Sequence, residues 1–502
     1  MEFDKDLRSI QEVRDLIKKS KIAQEKFADF DQKKVDHIVK AIAEACAAEA
    51  ERLAKMAVEE TGFGVWQDKV LKNLLGSTMT YNAIKDMKTI GILKEDQEKQ
   101  VWEVGAPMGI VAALIPSTNP TSTTMYKTLI SLKAGNSIIL SPHPNALHCI
   151  LETYKVANRA ALEAGAPEGL IQCVSVPTQE GTSALLQNRD IGIILATGGE
   201  PMVRAAYRSG NPALGVGPGN GPSFIEKTAD VAEAIRHIFE SKTFDNGTIC
   251  ASEQSIIAEK CIESRIISEA KKQGGYFLTE EESKQVGRFI MRANGSMNPK
   301  IVGRSALAIA KMAGITVPEG TKVLISRQTT VGKDNPYSRE KLCPILAFYA
   351  EENWEDACRR SMEILHNEGA GHTMTIHTKD MDVVREFALK KPVSRLLVNT
   401  IGSLGGVGAA TGLMPALTLG CGAVGGSATS DNVGPMNLIN IRRVAFGIKE
   451  LRDIRALSPV KADCCPDCSA AVCAELENKG LSSLSREDIE AITRAVLARI
   501  TK

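Results

Sequence analysis

The sequence predicts an α/β fold in which helices cover both faces of a parallel β-sheet. Two observations support this prediction. Apolar, β-rich runs recur at 109–116, 136–142, 170–176 and 191–199, and segments of helical character such as 147–164 separate them. Strands that lack a polar face and alternate with helices are typical of parallel sheets buried between helical layers.

Segments on either side of this region extend the pattern. Apolar residues recur at helical spacing through 8–60, which predicts mainly helix there. Residues 98–110 alternate between polar and apolar and are followed by turn residues, which indicates an exposed β-ribbon. Further strands are predicted at 322–327, 394–400 and 436–448.

The composition is that of an ordinary globular protein. The 502 residues carry a formal net charge of +1, so no broad positive field favours nucleic acid. The N-terminus lacks the apolar core of a signal peptide. The longest uncharged stretch, 396–430, contains nine glycines, which favours buried loops and strands over a membrane span. With twelve cysteines, these features predict reduced thiols and a cytoplasmic location, without nucleic acid or membrane as partners.

Cys250 is one of these thiols and lies in KTFDNGTICASEQ, 242–254. Asn246 and Gly247 signal a turn, so the thiol is expected just after a loop and ahead of a helix or strand. Backbone N–H groups at such a junction lower a thiol pKa and favour the thiolate that attacks a carbonyl carbon. Taken alone, an inert buried thiol is the simpler interpretation.

Asn119, in IPSTNPTS at 115–122, is a second candidate because it directly follows an apolar strand. Ligands bind at the carboxyl ends of strands in parallel α/β sheets. A side-chain amide placed there can donate to a developing oxyanion, which contributes roughly 3 kcal/mol. The alternative is an ordinary Asn-Pro turn flanked by Pro116 and Pro120.

A third candidate, ATGGEPMVRAAY at 196–207, again lies between a strand and a helix. Thr197, Gly198 and Gly199 would leave backbone N–H groups open to a pyrophosphate at the N-terminus of that helix. The motif is weak by itself because it is not the full G-x-G-x-x-G fingerprint.

These motifs, in this order, resemble the CoA-acylating branch of the aldehyde dehydrogenase superfamily over about residues 10–456. The same branch is indicated by SPHP at 141–144, GVGPGN at 215–220, EKLCP at 340–344, EGAGH at 368–372 and LTLGCGAVGG at 417–426. The resemblance implies an aldehyde dehydrogenase fold with a Rossmann-like cofactor domain, an α/β catalytic domain and a β-ribbon oligomerisation flap.

The domain boundaries combine this resemblance with the predicted elements. The expected parts are an NAD-binding domain at 1–235 that includes the flap at 98–110, a catalytic domain with the cysteine nucleophile at 236–430, a return to the flap at 431–456, a flexible cysteine-containing linker at 457–483 and an amphipathic helix at 484–502.

The resemblance implies that Cys250 attacks a short aldehyde to give a thiohemiacetal, whose oxyanion is held by Asn119 and the Cys250 N–H. Hydride then passes to NAD, and the thioester left on Cys250 is transferred to the thiol of CoA. His372 matches the branch's candidate base for that thiol, and a hydrogen-bonded loop histidine is the alternative.

The cofactor contacts are also implied. Glu340 matches the glutamate that contacts the nicotinamide ribose in relatives, with a surface loop charge as the alternative. No lysine or arginine lies beside Ser141 and His143 to pair with a 2′-phosphate, which favours NAD over NADP. The full predicted set of cofactor-binding residues is Pro116, Ser141, His143, Thr197, Gly198, Gly199, Gly217 and Glu340.

The loop 215–220 bears on the fate of the thioester. In hydrolytic relatives the corresponding motif carries a glutamate that activates water, whereas here it holds no acid. General-base catalysis is worth roughly 10²–10⁴-fold, so its absence favours CoA over water. The sequence therefore predicts reversible oxidation of a short-chain aldehyde, with acetaldehyde favoured, to its CoA thioester. The alternatives are a hydrolytic aldehyde dehydrogenase and a non-catalytic cargo or scaffold protein of a compartment.

The C-terminal residues 485–500 predict an amphipathic helix with a capping signal from Ser485 and Asp488. Its apolar stripe consists of Ile489, Ile492, Val496, Leu497 and Ile500. Such a helix resembles the encapsulation peptides of microcompartment enzymes, which implies shell or cargo proteins as partners and a location inside a bacterial microcompartment. The alternative is a helix packed on its own oligomer, and the ribbon and 436–448 indicate a homodimer or homotetramer.

The segment 464–473 contains four cysteines. A zinc site through Cys465 and Cys468 would need two further ligands, and no second CxxC or histidine pair lies nearby. Reduced linker thiols, and no bound metal, are therefore predicted.

Overall fold

The computed structural model describes residues 4–292, 295–457 and 485–500. Within these ranges the helices are α1 Lys5–Phe27, α2 Gln32–Ala48, α3 Ala50–Thr61, α4 Trp66–Leu74, α5 Thr80–Ile84, α6 Pro120–Lys133, α7 Leu147–Glu163, α8 Gln179–Leu186, α9 Glu200–Arg208, α10 Val231–Thr243, α11 Glu263–Lys272, α12 Glu280–Ile290, α13 Ala306–Ala313, α14 Trp354–Asn367, α15 Met381–Lys390, α16 Gly402–Gly406, α17 Leu451–Arg455 and α18 Arg486–Ile500. A π-helical turn, Leu75–Met79, joins α4 to α5.

The strands form three sheets. Their bounds are β1 Gly91–Asp96, β2 Val101–Pro107, β3 Ile110–Ile115, β4 Ser137–Pro142, β5 Ile171–Cys173, β6 Ile191–Thr197, β7 Ala213–Val216, β8 Gly221–Ile225, β9 Glu253–Glu259, β10 Gly275–Phe277, β11 Val323–Arg327, β12 Ile345–Glu351, β13 Gly371–His377, β14 Val393–Val398 and β15 Ile439–Ala445.

The five-stranded sheet has the order β5-β4-β3-β6-β7, and its strand pairs are parallel. The largest apolar core packs this sheet against α2, α6 and α7, which confirms the predicted α/β class. Leu114 of β3 pairs with Ser141 of β4 and with Ala196 of β6. The carboxyl ends of these three strands therefore lie side by side, and the loops that leave them carry Asn119, SPHP and ATGG.

The seven-stranded sheet has the order β10-β11-β12-β9-β8-β13-β14 and is also parallel. Gly221 at the start of β8 pairs with Glu253 at the start of β9. Strand β13 pairs with β8 on the other side. The amino ends of these central strands therefore meet at one edge, which the loops 217–220 and 248–252 enter.

The helical prediction for 8–60 is confirmed as three separate helices, α1 to α3. Helix α2 illustrates why they form. Its N-cap, Asp31, accepts a hydrogen bond from the Lys34 N–H at 2.9 Å, and its buried face includes Val35, Ile38 and Ile42. A capped N-terminus and an apolar stripe at helical spacing together place α2 against the core.

The predicted ribbon at 98–110 covers the second strand of a longer hairpin. The hairpin begins with β1 at Gly91, and β15 joins β2 to complete a three-stranded sheet. Gln100, with a φ of 51°, lies in the turn between β1 and β2. The predicted segment begins at this turn, so the alternating pattern placed the start of the ribbon at 98 and missed the first strand, which begins at Gly91.

The described residues divide into two compact units, the first within 1–95 and 102–444 and the second within 96–101 and 445–502. The second unit contains α18, whose predicted cap is present. The Ser485 N–H donates to Asp488 Oδ2 at 2.9 Å, and the Asp488 N–H donates to Ser485 Oγ at 3.2 Å. Ile489 and Leu497 of the predicted apolar stripe are both more than half exposed.

The cysteines of 464–473 lie outside the described residues, and so does nearly all of the linker predicted at 457–483. Across the described helices, none combines the length and the apolar character that crossing a membrane requires. The domain boundaries themselves stay predictions.

Candidate active site

Cys250 lies in a half-buried turn that joins the short 3₁₀ segment Phe244–Gly247 to β9. Asp245 and Asn246 in that segment have φ values of 49° and 51°. Asp and Asn adopt this left-handed conformation more readily than other non-glycine residues do. The Asp-Asn-Gly sequence thus forms the sharp turn, and the thiol follows it ahead of a strand.

Gly219 brings the loop 215–220 directly against Cys250. A Cβ atom at position 219 would lie 1.8 Å from the Cys250 carbonyl oxygen, so only glycine allows this approach. The Gly219 N–H donates to Glu340 Oε1 at 2.9 Å. The structure therefore brings Cys250, this loop and Glu340 together, although 121 positions separate Gly219 from Glu340.

Glu340 is not a freely solvated surface charge. Its own N–H donates to Glu368 Oε2 at 2.6 Å, and Arg339 pairs with the other oxygen of Glu368 at 3.0 Å. Burial and the neighbouring Glu368 charge raise the pKa of Glu340 to about 8. Much of Glu340 is therefore protonated near neutral pH.

Burial raises the pKa of Cys250 to about 12, and the charges of Glu340 and Cys421 act in the same direction. The Arg395 guanidinium opposes this shift. Without bound ligands the group at position 250 is thus a neutral thiol at physiological pH. A thiolate has to form as ligands bind, since the thiolate is the nucleophilic form.

Asn119 precedes α6 without capping it, so its amide is free for other contacts. The amide Nδ2 donates to the Thr248 carbonyl at 3.1 Å, and Oδ1 accepts from Lys72 Nζ at 2.7 Å. Thr248 is two residues before Cys250. The structure therefore holds the Asn119 side chain against the turn that carries the thiol.

Sequence reasoning missed a set of buried charges beneath this turn. Lys69, Lys72 and Asp245, here called the buried charge cluster, are at most 2% exposed as side chains. Both lysines pair with Asp245 Oδ2, Lys69 at 2.9 Å. The sequence contains one indication of this cluster. Lys69 and Lys72 are three residues apart, which places both on one face of α4.

His372 is buried at the start of β13, and burial together with Arg395 lowers its pKa to about 3. Its Nδ1 lies 3.0 Å from Thr373 Oγ1, and Nε2 has no hydrogen-bond partner among the described residues. The imidazole is therefore neutral at physiological pH and is a weak base. Its role in the reaction stays a prediction.

Arg395 was also missed from the sequence. Its guanidinium is buried, and its hydrogen-bond partners among the described residues are all neutral oxygens, namely the Thr373 hydroxyl, the Asn432 amide and the carbonyls of His372, Gly420 and Ser430. It also lowers the pKa of Cys421 against the raising effect of burial. Arg395 thus places a positive charge near the thiols of Cys250 and Cys421, and no carboxylate in the described part of the chain forms an ion pair with it.

Most of the predicted cofactor residues, though not Glu340, lie at the carboxyl edge of the five-stranded sheet. Pro116 follows β3, Ser141 lies in β4 and Thr197 ends β6. The Ser141 hydroxyl lies 3.3 Å from the Thr182 hydroxyl, and His143 Nδ1 accepts from the Asn145 N–H at 3.1 Å. The His143 ring therefore organises its own turn.

The turn at Gly198 and Gly199 fits a pyrophosphate. Gly199 is the N-cap of α9, and no side chain makes a capping hydrogen bond at this terminus, whose first turn contains Glu200 and Pro201. A Cβ atom on Gly198 would meet nothing closer than 3.8 Å, and one on Gly217 would meet nothing within 4 Å. Open N–H groups at a helix N-terminus suit a dinucleotide phosphate. No group of side chains suited to a metal ion occurs among the described residues.

A parallel α/β fold with a thiol, an amide and a glycine turn before a helix at the sheet edges is typical of a class of cofactor-dependent enzymes. This chain belongs to the aldehyde dehydrogenase family, whose sequence model matches residues 7–405. It is 44% identical over 443 residues to the bifunctional aldehyde-alcohol dehydrogenase AdhE of Escherichia coli K12, which covers 87% of this chain and 50% of the relative. The chain thus spans about half the length of such curated relatives. It is also 39% identical to the succinate-semialdehyde dehydrogenase (acetylating) of Clostridium kluyveri, over 88% of this chain and 97% of the relative.

Solved structures agree with this assignment. A probable aldehyde dehydrogenase from Listeria monocytogenes EGD-e is 62% identical with a TM-score of 0.89, covering 90% of this chain and 100% of that one. An acetylating aldehyde dehydrogenase from Geobacillus thermoglucosidasius is 50% identical with a TM-score of 0.88, covering 89% and 99%. The propionaldehyde dehydrogenase of Rhodopseudomonas palustris, solved with CoA and an acylated cysteine, is 26% identical with a TM-score of 0.80, covering 86% and 97%.

Proposed function

We propose that this chain is an NAD-dependent, CoA-acylating aldehyde dehydrogenase that converts a short-chain aldehyde, with acetaldehyde favoured, reversibly to its acyl-CoA. The observation that carries the proposal is the loop behind Cys250. Gly219 contacts the Cys250 carbonyl, and the loop 215–220 supplies no carboxylate to activate water. The acetylating relatives and the relative solved with CoA support the same reaction.

In this proposal the Cys250 sulfur bonds to the aldehyde carbon and its proton passes to solvent. The Asn119 amide and the Cys250 N–H donate to the oxygen, which becomes negatively charged in the tetrahedral adduct. Bound NAD supplies the acceptor for the hydride that this adduct loses. The adduct then becomes an acyl thioester on the Cys250 sulfur.

The second half of the reaction replaces one thioester by another. The CoA sulfur adds to the acyl carbon, the same donors hold the oxyanion, and the Cys250 thiolate leaves. Because a thioester bond forms as another breaks, the exchange is nearly balanced in energy and the overall reaction is reversible. The neutral imidazole of His372 is proposed to accept the proton of the CoA thiol. Burial lowers the pKa of His372 and makes it a weak base for this step.

The cofactor residues act by binding and orientation. The N–H groups at Gly198 and Gly199 hold the pyrophosphate at the N-terminus of α9. Glu340, held by the Gly219 N–H, contacts the nicotinamide ribose. Pro116, Ser141, His143 and Gly217 line the rest of the site, and NAD is favoured because no cation accompanies Ser141.

Acetaldehyde and NAD are expected to give continuous NADH formation only when CoA is present. Without CoA, NADH formation should stop at about one equivalent per subunit, because the thioester on Cys250 meets no activated water, whose general-base assistance is worth roughly 10²–10⁴-fold. Absorbance of NADH and mass spectrometry of the acyl-CoA product measure this result. Propionaldehyde, a sulfonated aldehyde and NADP are the comparison substrates.

Two outcomes would contradict the proposal. Steady turnover to free acid without CoA would show a hydrolytic aldehyde dehydrogenase instead. Absence of NADH formation with every aldehyde, with or without CoA, would favour a non-catalytic cargo or scaffold protein.

We also propose that the chain is a homodimer or homotetramer and that α18 binds a shell or cargo protein of a bacterial microcompartment. The exposed Ile489 and Leu497 side chains on a capped helix support this docking role. A chain ending at residue 457 is expected to keep full activity and to lose association with isolated shell proteins in a co-sedimentation assay. Unchanged association of the shortened chain would refute the docking role.

A further inference from the structure

The buried charge cluster, Lys69, Lys72 and Asp245, connects α4 to the turn that carries Cys250. Burial alone would raise the pKa of Asp245, but the charges of Lys72 and Lys69 hold it below its ordinary range. The Asp245 N–H donates to Asp68 Oδ2 at 2.7 Å, and Asp245 Oδ1 accepts from the Val65 N–H at 2.7 Å. Desolvating such charges is costly, so their placement calls for a reason beyond packing.

The two lysines differ in what else they contact. Lys69 Nζ donates to the Thr118 carbonyl at 2.9 Å. Lys72 Nζ donates to Asn119 Oδ1 at 2.7 Å, and to both the carbonyl and the hydroxyl of Thr248 at 3.1 Å. Among the described residues, Lys72 but not Lys69 therefore donates to the Asn119 side chain and to Thr248, whereas both lysines pair with Asp245.

The contact with Lys72 determines which way the Asn119 amide faces. An ammonium group has donors and no acceptor, so the amide atom beside it has to be the oxygen. The NH₂ group then points toward the Thr248 carbonyl, which accepts from it at 3.1 Å. With the amide reversed, a carbonyl oxygen would face the developing oxyanion and repel it.

We propose that Lys72 is a positioning residue for the oxyanion site, which it serves by orienting the Asn119 amide and by joining that amide to the Thr248–Cys250 turn. This inference rests on the proposed function, because it assigns Lys72 to the same reaction. Lys72 is not placed in contact with substrate or cofactor. We expect its effect on the reaction to pass mainly through Asn119, and the double-mutant cycle below separates this route from one through its contacts with Thr248 and Asp245.

The test is a double-mutant cycle with a matched control. Lys72→Met is expected to lower kcat by about 10- to 100-fold, since misplacement of a reacting group by about 1 Å costs roughly that much, while KM for NAD stays near its wild-type value. Lys69→Met is the control, because Lys69 is equally buried, lies on the same helix and pairs with the same Asp245. Its kcat is expected to stay within about threefold of wild type. In an Asn119→Ala background, Lys72→Met is expected to change kcat by less than about threefold, because the group it orients is already gone.

The outcomes separate the two proposals. If the wild-type chain forms no NADH with aldehyde and CoA, the proposed function fails. If the wild-type chain is active, additive losses in Lys72→Met and Asn119→Ala, or equal losses in Lys72→Met and Lys69→Met, would overturn the role of Lys72. Should Lys72→Met not fold, Lys72→Gln enters the same cycle, since it is shorter, neutral and still able to donate.

Discussion

Replacing Cys250 by alanine is expected to abolish CoA-dependent NADH formation, with a loss of at least about 10⁴-fold in kcat. The reason is that no other described thiol lies in the turn between the Asn119 amide and the loop 215–220. Without a sulfur at position 250, neither the thiohemiacetal nor the acyl thioester forms. Steady-state NADH assays and mass spectrometry of the acyl-enzyme measure the two losses.

The same thiol is expected to show an unusual pH dependence toward iodoacetamide. Because burial raises the pKa of Cys250 to about 12, its thiolate fraction keeps growing through the range in which an ordinary thiol has already titrated. The alkylation rate of the free enzyme should rise by about tenfold per pH unit from neutral pH upward. A plateau at or below the ordinary thiol pKa would contradict this expectation.

Cys421→Ala is the matched control for these measurements. Its thiol is buried, lies close enough to affect Cys250, and has a pKa that burial raises as well. The variant is expected to stay within about tenfold of the wild-type kcat, because its sulfur forms no bond in the reaction. If Cys421→Ala formed no acyl-enzyme while Cys250→Ala still formed it, the nucleophile would be Cys421 and the assignment to Cys250 would be wrong.

Asn119→Ala is expected to lower kcat by about 10²–10³-fold, the usual effect of removing one oxyanion donor. The amide contributes to both tetrahedral adducts, so the oxidation and the transfer to CoA should fall together. The KM for NAD is expected to change little, because Asn119 lies at the thiol and not at the turn of Gly198 and Gly199. Stopped-flow detection of the first NADH equivalent separates the two steps.

Asn119→Asp distinguishes lost donation from lost packing. Aspartate has nearly the shape of asparagine and keeps an oxygen for Lys72, but a carboxylate has no N–H to donate. Its kcat should therefore be at least as low as that of Asn119→Ala. A cooperative thermal unfolding transition checks that the chain is folded, and some loss of stability is expected because the carboxylate cannot donate to the Thr248 carbonyl. Activity of Asn119→Asp within about threefold of wild type would refute the donor role.

The fold class can be predicted from the sequence because it depends on the pattern of apolar residues within each segment. A strand buried on both faces has no polar face, and alternation with helical segments leaves only a parallel sheet covered by helices. The runs at 109–116, 136–142 and 191–199 meet this condition and become β3, β4 and β6. Loops that leave such strands lie at one edge, which is why Asn119 and the ATGG turn could be placed at a site from sequence alone.

The sequence by itself thus determined the sheet class, and it predicted the edge at which ligands would bind and the candidate thiol. Only the tertiary structure decided the orientation of Asn119. In α4 the sequence rules would expose Lys69 and Lys72 and bury Leu71, whereas the lysines are 2% exposed and Leu71 is 54% exposed. The physical reason is Asp245, which lies 173 positions from Lys72 and provides the charge that makes a buried ammonium stable. A partner so distant in the sequence is brought to α4 only when the turn Phe244–Gly247 packs against that helix, and no pattern within α4 contains this information.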